Sequence, residues 1–152
     1  MSGTRNPKAP DPFETVIPIL RVRDLDASLE FYVSVLGFGV DWKEPGIIAS
    51  VSRGGRGFML AEGDQGNFGG WIFIGVHDVE GLFEELEANG AKFRMPPTNY
   101  PWGYELQVED PDGNVLRFAA EPREGEPIGE WLDMRGVRWA KTPAGGWKRV
   151  EA

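Results

Sequence analysis

The sequence contains an internal repeat. Val22-Arg23-Asp24-Leu25 and Val76-His77-Asp78-Val79 each follow an apolar, strand-like run, and each opens a segment with apolar residues at helical spacing. Asp24 and Asp78 lie 54 residues apart, and each is suited to cap the first turn of a helix. The repeat predicts two copies of one strand-then-helix unit.

Three strand-like runs follow each predicted helix. In chain order they are Phe38–Lys43, Ile47–Arg53, Gly57–Glu62, Lys92–Arg94, Tyr104–Val108 and Val115–Ala119. The chain therefore predicts an α+β fold, in which two tandem βαβββ modules form a curved mixed sheet around a cavity. The expected divisions are a flexible segment at 1–14, a domain at 15–120 with module one at 15–62 and module two at 70–119, and a C-terminal extension at 121–152.

The extension contains three tryptophans in a stretch that is otherwise rich in proline, glycine and charge. They are Trp131, Trp139 and Trp147. Polar linkers seldom carry so many large aromatic residues. We expect the extension to pack against the domain or against a partner subunit, although no pattern in it indicates secondary structure.

Charge and composition narrow the possible functions. The segment Thr15–Ala120 holds 8 basic and 16 acidic residues and so carries the whole net charge of −8. Such a domain repels nucleic acids and anionic membranes, and its acidity either attracts cationic small molecules or only aids solubility. The chain has no cysteine, which excludes disulfides, thiolate metal sites and cysteine nucleophiles. No apolar run could span a bilayer and Met1–Pro12 lacks the apolar core of a secretory signal, so a cytoplasmic protein is expected.

Several of these segments resemble a known superfamily. Ile17–Leu25, Ser28–Tyr32 and Leu36-Gly37-Phe38 resemble the opening of vicinal oxygen chelate proteins, which include glyoxalase I, extradiol dioxygenases and bleomycin-resistance proteins. The turn Asp110–Asn114 before the last strand is a second similarity, and the resemblance extends over about Val16–Glu121. It implies the same fold that the repeat predicts.

One element is similar to the bleomycin-resistance branch in particular, namely Pro101-Trp102-Gly103 followed by Glu105. In that branch the matching tryptophan contacts the drug in a groove between two subunits. The resemblance therefore implies a ligand-binding role for Trp102 and a homodimer. Trp42 would line the same groove from the partner subunit.

The superfamily's enzymes hold a divalent metal at four symmetric positions, which the resemblance places at Ile17, Met59, Trp71 and Arg117. None of these side chains can bind such a cation well, and Arg117 would repel it. The one histidine, His77, precedes a helix cap away from the pocket-facing positions, and a Ser-His-Asp set cannot be built around it. We therefore predict no metal, no cofactor and no catalytic residue.

In place of metal ligands, the four positions predict an apolar floor with one fixed charge, to which strand alternation adds Arg21 and Phe73. Tyr100-Pro101-Trp102-Gly103-Tyr104 forms a second aromatic cluster, in a loop that Pro96 and Pro97 would stiffen. Such a loop is suited to stacking on planar ligands, and Glu105 beside it would attract a cation. The candidate ligand-binding residues are Ile17, Arg21, Trp42, Met59, Trp71, Phe73, Tyr100, Trp102, Tyr104, Glu105 and Arg117.

These features favour a homodimeric, metal-free binding protein that sequesters a planar or cationic, antibiotic-like small molecule in an aromatic groove at the dimer interface. Two alternatives remain open. One is a metal-independent lyase or isomerase that uses Arg21, Arg117 or Tyr104. The other is an assembly module whose groove the extension fills.

Overall fold

The computed structural model describes residues 10–151. In chain order the elements are β1 (Ile19–Val22), α1 (Leu25–Ser34), β2 (Gly39–Glu44), β3 (Ile48–Arg53), β4 (Arg56–Glu62), β5 (Trp71–Gly75), α2 (Val79–Ala88), β6 (Phe93–Tyr100), β7 (Gly103–Glu109), β8 (Val115–Ala120), β9 (Trp131–Leu132), β10 (Arg138–Lys141) and β11 (Trp147–Arg149). Neither of the two helices in this range is long and apolar enough to cross a membrane.

Module one is a four-stranded sheet with the order β1-β4-β3-β2. β1 runs parallel to β4, and the other neighbours are antiparallel. α1 begins after Asp24, whose carboxylate accepts a hydrogen bond from the backbone N–H of Ala27. Its apolar stripe, Leu25, Leu29 and Tyr32, is buried in the core against this sheet. One face of the sheet is therefore covered by the helix.

Module two repeats this arrangement with the strand order β5-β8-β7-β6, again with a parallel first pair. α2 begins after Asp78, whose carboxylate accepts from the N–H of Gly81. Leu86 on the helix and Leu106 on β7 are fully buried in the core. The predicted α+β fold with two tandem βαβββ modules is confirmed, and each module has a sheet of its own.

A buried carboxylate at the turn before β8 joins the two modules. Asp110 accepts a hydrogen bond of 2.8 Å from the Tyr32 hydroxyl of module one and bonds from the backbone and side-chain amides of Asn114. Asn114 also donates to the carbonyl of Arg21 on β1. Burial raises the pKa of Asp110 above its usual value. The similarity of this turn to the superfamily therefore has a structural basis, since its polar side chains fix β1 against β8.

The strand before Trp102 is longer than the sequence indicates. The predicted loop around Pro96 and Pro97 is wrong, because β6 continues through both prolines to Tyr100 and a two-residue turn then leads into β7. Proline is tolerated here because β6 is an edge strand and its pairing with β7 shifts register between Met95 and Thr98. Trp102 thus lies in the turn of a β-hairpin.

The extension forms a small antiparallel sheet with the order β11-β10-β9. The segment before it is tied to β6 at Asn99, whose carbonyl accepts from Gly129 N–H at 2.8 Å and whose side chain bonds the backbone of Arg123. Arg94 on β6 donates to the carbonyl of Leu132 at 2.9 Å. The extension therefore lies against module two.

Candidate functional site

Glu105 lies on β7, on the side of the sheet opposite α2. Its carboxylate is fully buried and accepts four hydrogen bonds: from Trp102 Nε1 at 2.5 Å, from Gln107 Nε2 at 3.1 Å, and from Arg117 Nε and Nη2 at 2.9 Å each. Burial by itself raises the pKa of Glu105, but these donors and the positive charge of Arg117 outweigh it and leave the pKa below its usual value. Glu105 is therefore ionised and fully partnered at neutral pH.

The guanidinium of Arg117 is surrounded by aromatic rings. Its central carbon lies 5.1 Å from the ring centroids of Phe73 and Trp131 and 5.9 Å from that of Trp102. The side chain is 23% exposed, and its Nη1 donates to no acceptor among the described residues. Arg117 thus keeps a donor available while its other two nitrogens hold Glu105.

The aromatic residues pack on one another above this ion pair. Trp102 stacks on Tyr100 at 5.0 Å with an interplanar angle of 12°. Trp131 of the extension packs edge-on against both rings, at 5.3 Å and 5.5 Å, and lies 6.4 Å from Trp71. Trp147 approaches Trp102 at 6.1 Å. The extension therefore supplies two rings to the cluster.

Only part of this cluster is open to solvent. Tyr100 is fully buried, its hydroxyl donates to the carbonyl of Glu130 at 2.7 Å, and burial raises its pKa to about 12. Phe73 is 53% exposed and Trp102 43% exposed. A ligand can therefore reach Phe73, one part of Trp102 and the edge of Arg117, which we call the aromatic surface.

Four predicted residues lie elsewhere, on module one. Met59 pairs across the sheet with Ile19 on one side and with Ser50 on the other, and Ser50 pairs with Trp42. Trp42 is 47% exposed. Ile17 and Arg21 flank the same row, and within residues 10–151 no hydrogen bond or ring contact joins these four residues to the aromatic surface.

Tyr104 lies on the opposite side of β7 from Glu105, because neighbouring residues of a strand point to opposite faces. It packs on the core shared with α2, its hydroxyl donates to Glu80 at 3.3 Å, and the Arg123 guanidinium lies 3.7 Å from its ring centroid. The structure does not bring Tyr104 together with Trp102.

A groove of about 1290 Å³ runs between the β3–β4 turn of module one and α2 with β5 of module two. Ile17 and Phe73 are the two predicted residues that line it. Phe73 therefore borders both this groove and the aromatic surface.

The four positions at which the superfamily's enzymes hold a metal do not fit a divalent cation here. The four positions are Ile17, Met59, Trp71 and Arg117. In the sheets Met59 pairs with Ile19, which lies two residues after Ile17, and Arg117 pairs with Phe73, which lies two residues after Trp71. None of these side chains offers an anionic or imidazole donor. Residues 10–151 contain no group of three or more histidine, aspartate or glutamate side chains that could hold a metal ion.

Sequence reasoning missed Gln107, Arg94, Trp131 and Trp147. Strand alternation could have identified Gln107, which pairs with Arg117 and lies two residues from Glu105. Arg94 donates to Gln107 at 2.7 Å and lies 4.7 Å from the ring centroid of Trp71. The positions of the two extension tryptophans follow only from the tertiary structure.

Comparison with known proteins identifies the family. The family model of the Glyoxalase/Bleomycin resistance protein/Dioxygenase superfamily matches residues 14–118. The chain belongs to this superfamily. The predicted membership in the vicinal oxygen chelate proteins is thereby confirmed.

Proteins that resemble this chain have different described roles. The bleomycin-binding protein of bleomycin-producing Streptomyces verticillus, solved with copper(II)-bleomycin, is 27% identical, with a TM-score of 0.61 over 72% of this chain and 98% of that one. An antibiotic-binding protein from a Streptomyces species shares the fold at 23% identity and a TM-score of 0.58, over 72% of this chain and 98% of that one. A probable lactoylglutathione lyase of Vibrio cholerae is 27% identical over 66% of this chain and 85% of its own length.

Proposed function

We propose that the protein binds a planar small molecule on the aromatic surface, without a metal ion and without chemical conversion. The observation that carries this proposal is the aromatic surface itself, where Phe73 and Trp102 are about half exposed beside Arg117. Large exposed rings beside a polar group are typical of sites that stack on planar ligands. The bleomycin-binding and antibiotic-binding relatives support the same class of function.

The absence of chemical conversion is inferred from the donor chemistry of the site. Glu105 is ionised, buried and held by four donors, so it is not placed to accept a proton from a ligand. Ile17, Met59, Trp71 and Arg117 occupy the positions where the resemblance places the anionic or imidazole ligands of a metal-dependent relative.

We further propose that a second copy of the chain completes the site. Within one chain Ile17 and Phe73 line a common groove, but Arg21, Trp42 and Met59 lie on module one apart from the aromatic surface. The row from Ile19 to Trp42 leaves large apolar side chains exposed. A homodimer that sets the aromatic surface opposite Trp42 of the partner subunit would join them into one groove. Light scattering coupled to size-exclusion chromatography should then give a molar mass twice that of the chain. Trp42→Glu should lower the measured mass toward that of the monomer, because it places a charge in the proposed interface.

Titration calorimetry of the full chain with a panel of planar heteroaromatic antibiotics tests the binding proposal. Phe73→Ala should weaken the binding of any compound that the wild type binds by about 1–3 kcal/mol, because it removes a stacking ring. Val33→Ala, an exposed apolar residue on α1, is the matched control and should leave the affinity unchanged. Equal affinities of the Phe73→Ala variant and the wild type would contradict the proposal.

A further inference from the structure

We infer that the ligand of the aromatic surface carries a hydrogen-bond acceptor, a carboxylate in the first place, and is not a cation. This inference rests on the proposed function and names the chemistry of its ligand. It differs from the preference for cations that the acidic composition and Glu105 suggest, because the structure shows how the charges at the site are already paired.

The negative charge that could hold a cation is fully used. Glu105 is completely buried, and all four of its hydrogen bonds come from protein donors, two of them from Arg117. A ligand cation would have to displace a bidentate guanidinium to reach this carboxylate, and such forked pairs are among the stronger polar interactions in proteins.

The rings that could hold a cation already have one beside them. The Arg117 guanidinium lies within 6 Å of the centroids of Phe73, Trp102 and Trp131, which is the range of cation–π attraction. A second cation on these rings would lie close to the first one and would be repelled by it. The aromatic surface is therefore a site at which a positive charge is already bound, in the form of Arg117.

Arg117 itself has a donor left over. Nη1 of Arg117 has no acceptor among the described residues, while the side chain keeps 23% of its surface exposed. Because Nε and Nη2 are fixed on Glu105, the guanidinium plane is held in place, and Nη1 is directed before a ligand arrives. An acceptor oxygen on a ligand ring stacked at Phe73 would accept a hydrogen bond from Nη1, so that all three nitrogens of Arg117 would then have an acceptor.

The net charge of −8 opposes this preference only at long range. At physiological salt the charges of an acidic domain are screened beyond about 8 Å, whereas a contact with Nη1 is made at hydrogen-bond distance. We therefore expect the acidic composition to slow the approach of an anionic ligand more than it weakens the bound state.

Three probes that share one ring system test the inference by calorimetry with the full chain. They are 2-naphthoate, 2-naphthamide and 2-naphthylmethylammonium. The carboxylate should bind about tenfold more tightly than the ammonium, with the amide between them, because only the carboxylate and the amide offer an acceptor oxygen and only the carboxylate is negatively charged. A wild-type protein that binds all three equally, or the ammonium best, overturns the inference while leaving planar binding intact.

Arg117→Lys should remove most of the difference between the carboxylate and the amide, since lysine keeps a charge beside Glu105 but lacks the directed third nitrogen. Arg123→Lys, on the opposite face of module two, is the matched control and should keep the difference. If Arg117→Lys is poorly folded by circular dichroism, the wild-type ranking of the three probes still decides the inference. Absence of saturable binding by all three probes would refute the proposed function, and the inference with it.

Discussion

Replacement of Arg117 by methionine should destabilise the fold by an amount that depends strongly on pH. The variant removes two of the four hydrogen bonds to Glu105 and the positive charge paired with it, while the carboxylate remains fully buried. A buried ion pair that loses one partner commonly costs about 3–5 kcal/mol, because the remaining charge is uncompensated.

Protonation of Glu105 limits this loss. Protonating a carboxyl group with an ordinary pKa of 4.5 costs about 3.4 kcal/mol at pH 7 and about 0.7 kcal/mol at pH 5, since each pKa unit corresponds to about 1.36 kcal/mol. In the wild type the pKa of Glu105 is lowered by folding, so its stabilisation is present above pH 4.5 and is lost as the pH falls through the folded-state value. The variant should therefore be about 3 kcal/mol less stable than the wild type at pH 7 and about 1 kcal/mol less stable at pH 5.

Urea denaturation followed by circular dichroism at the two pH values measures both differences. The double variant Arg117→Met/Glu105→Gln is the control, and it should recover most of the stability at pH 7 because no buried charge is left. The same loss at pH 5 as at pH 7 would show that packing, and not the buried carboxylate, accounts for the role of Arg117.

Two further predictions concern, first, the Tyr32–Asp110 contact between the two modules and, second, the packing of the extension. Tyr32→Phe should lower the free energy of unfolding by about 1–2 kcal/mol, because Asp110 loses one of its buried donors; urea denaturation measures this, and an unchanged midpoint would contradict it. Trp131→Ala should speed tryptic cleavage at Arg135 and Arg138, since the extension loses the ring that contacts the module-two cluster. Cleavage of the variant at the wild-type rate would show that the hydrogen bonds of Asn99 alone hold the extension.

The sequence predicts the modules well because each of their signals is local. Asp24 and Asp78 cap the helices as expected, and the apolar stripes behind them are buried. The continuation of β6 beyond Arg94 is missed because Pro96 and Pro97 are read as loop residues, although an edge strand with irregular pairing tolerates them. The three strands of the extension are two to four residues long, too short for any periodicity to be detected.

The candidate site shows the same limit. Alternation along β7 places Glu105 and Gln107 on one face and Tyr104 on the other, so the sequence alone could have separated them. Glu105 on β7 forms an ion pair with Arg117 on the adjacent strand β8. This ion pair depends on the register of the two strands, which the sequence does not specify. Trp131 joins the cluster from a different sheet altogether.

At the aromatic surface, the residues that stabilise the buried carboxylate differ from the residue most exposed to a ligand, and this affects how the ligand could change during evolution. Arg117 and Trp102 stabilise a buried charge, so most substitutions there would first reduce the amount of folded protein. Phe73 is exposed, and the Arg117 guanidinium that lies 5.1 Å from its ring centroid is hydrogen-bonded to Glu105 independently of the side chain at position 73. Homologues that bind other compounds should therefore vary at position 73 and retain Arg117 and Glu105, so that the specificity changes while the buried ion pair is kept.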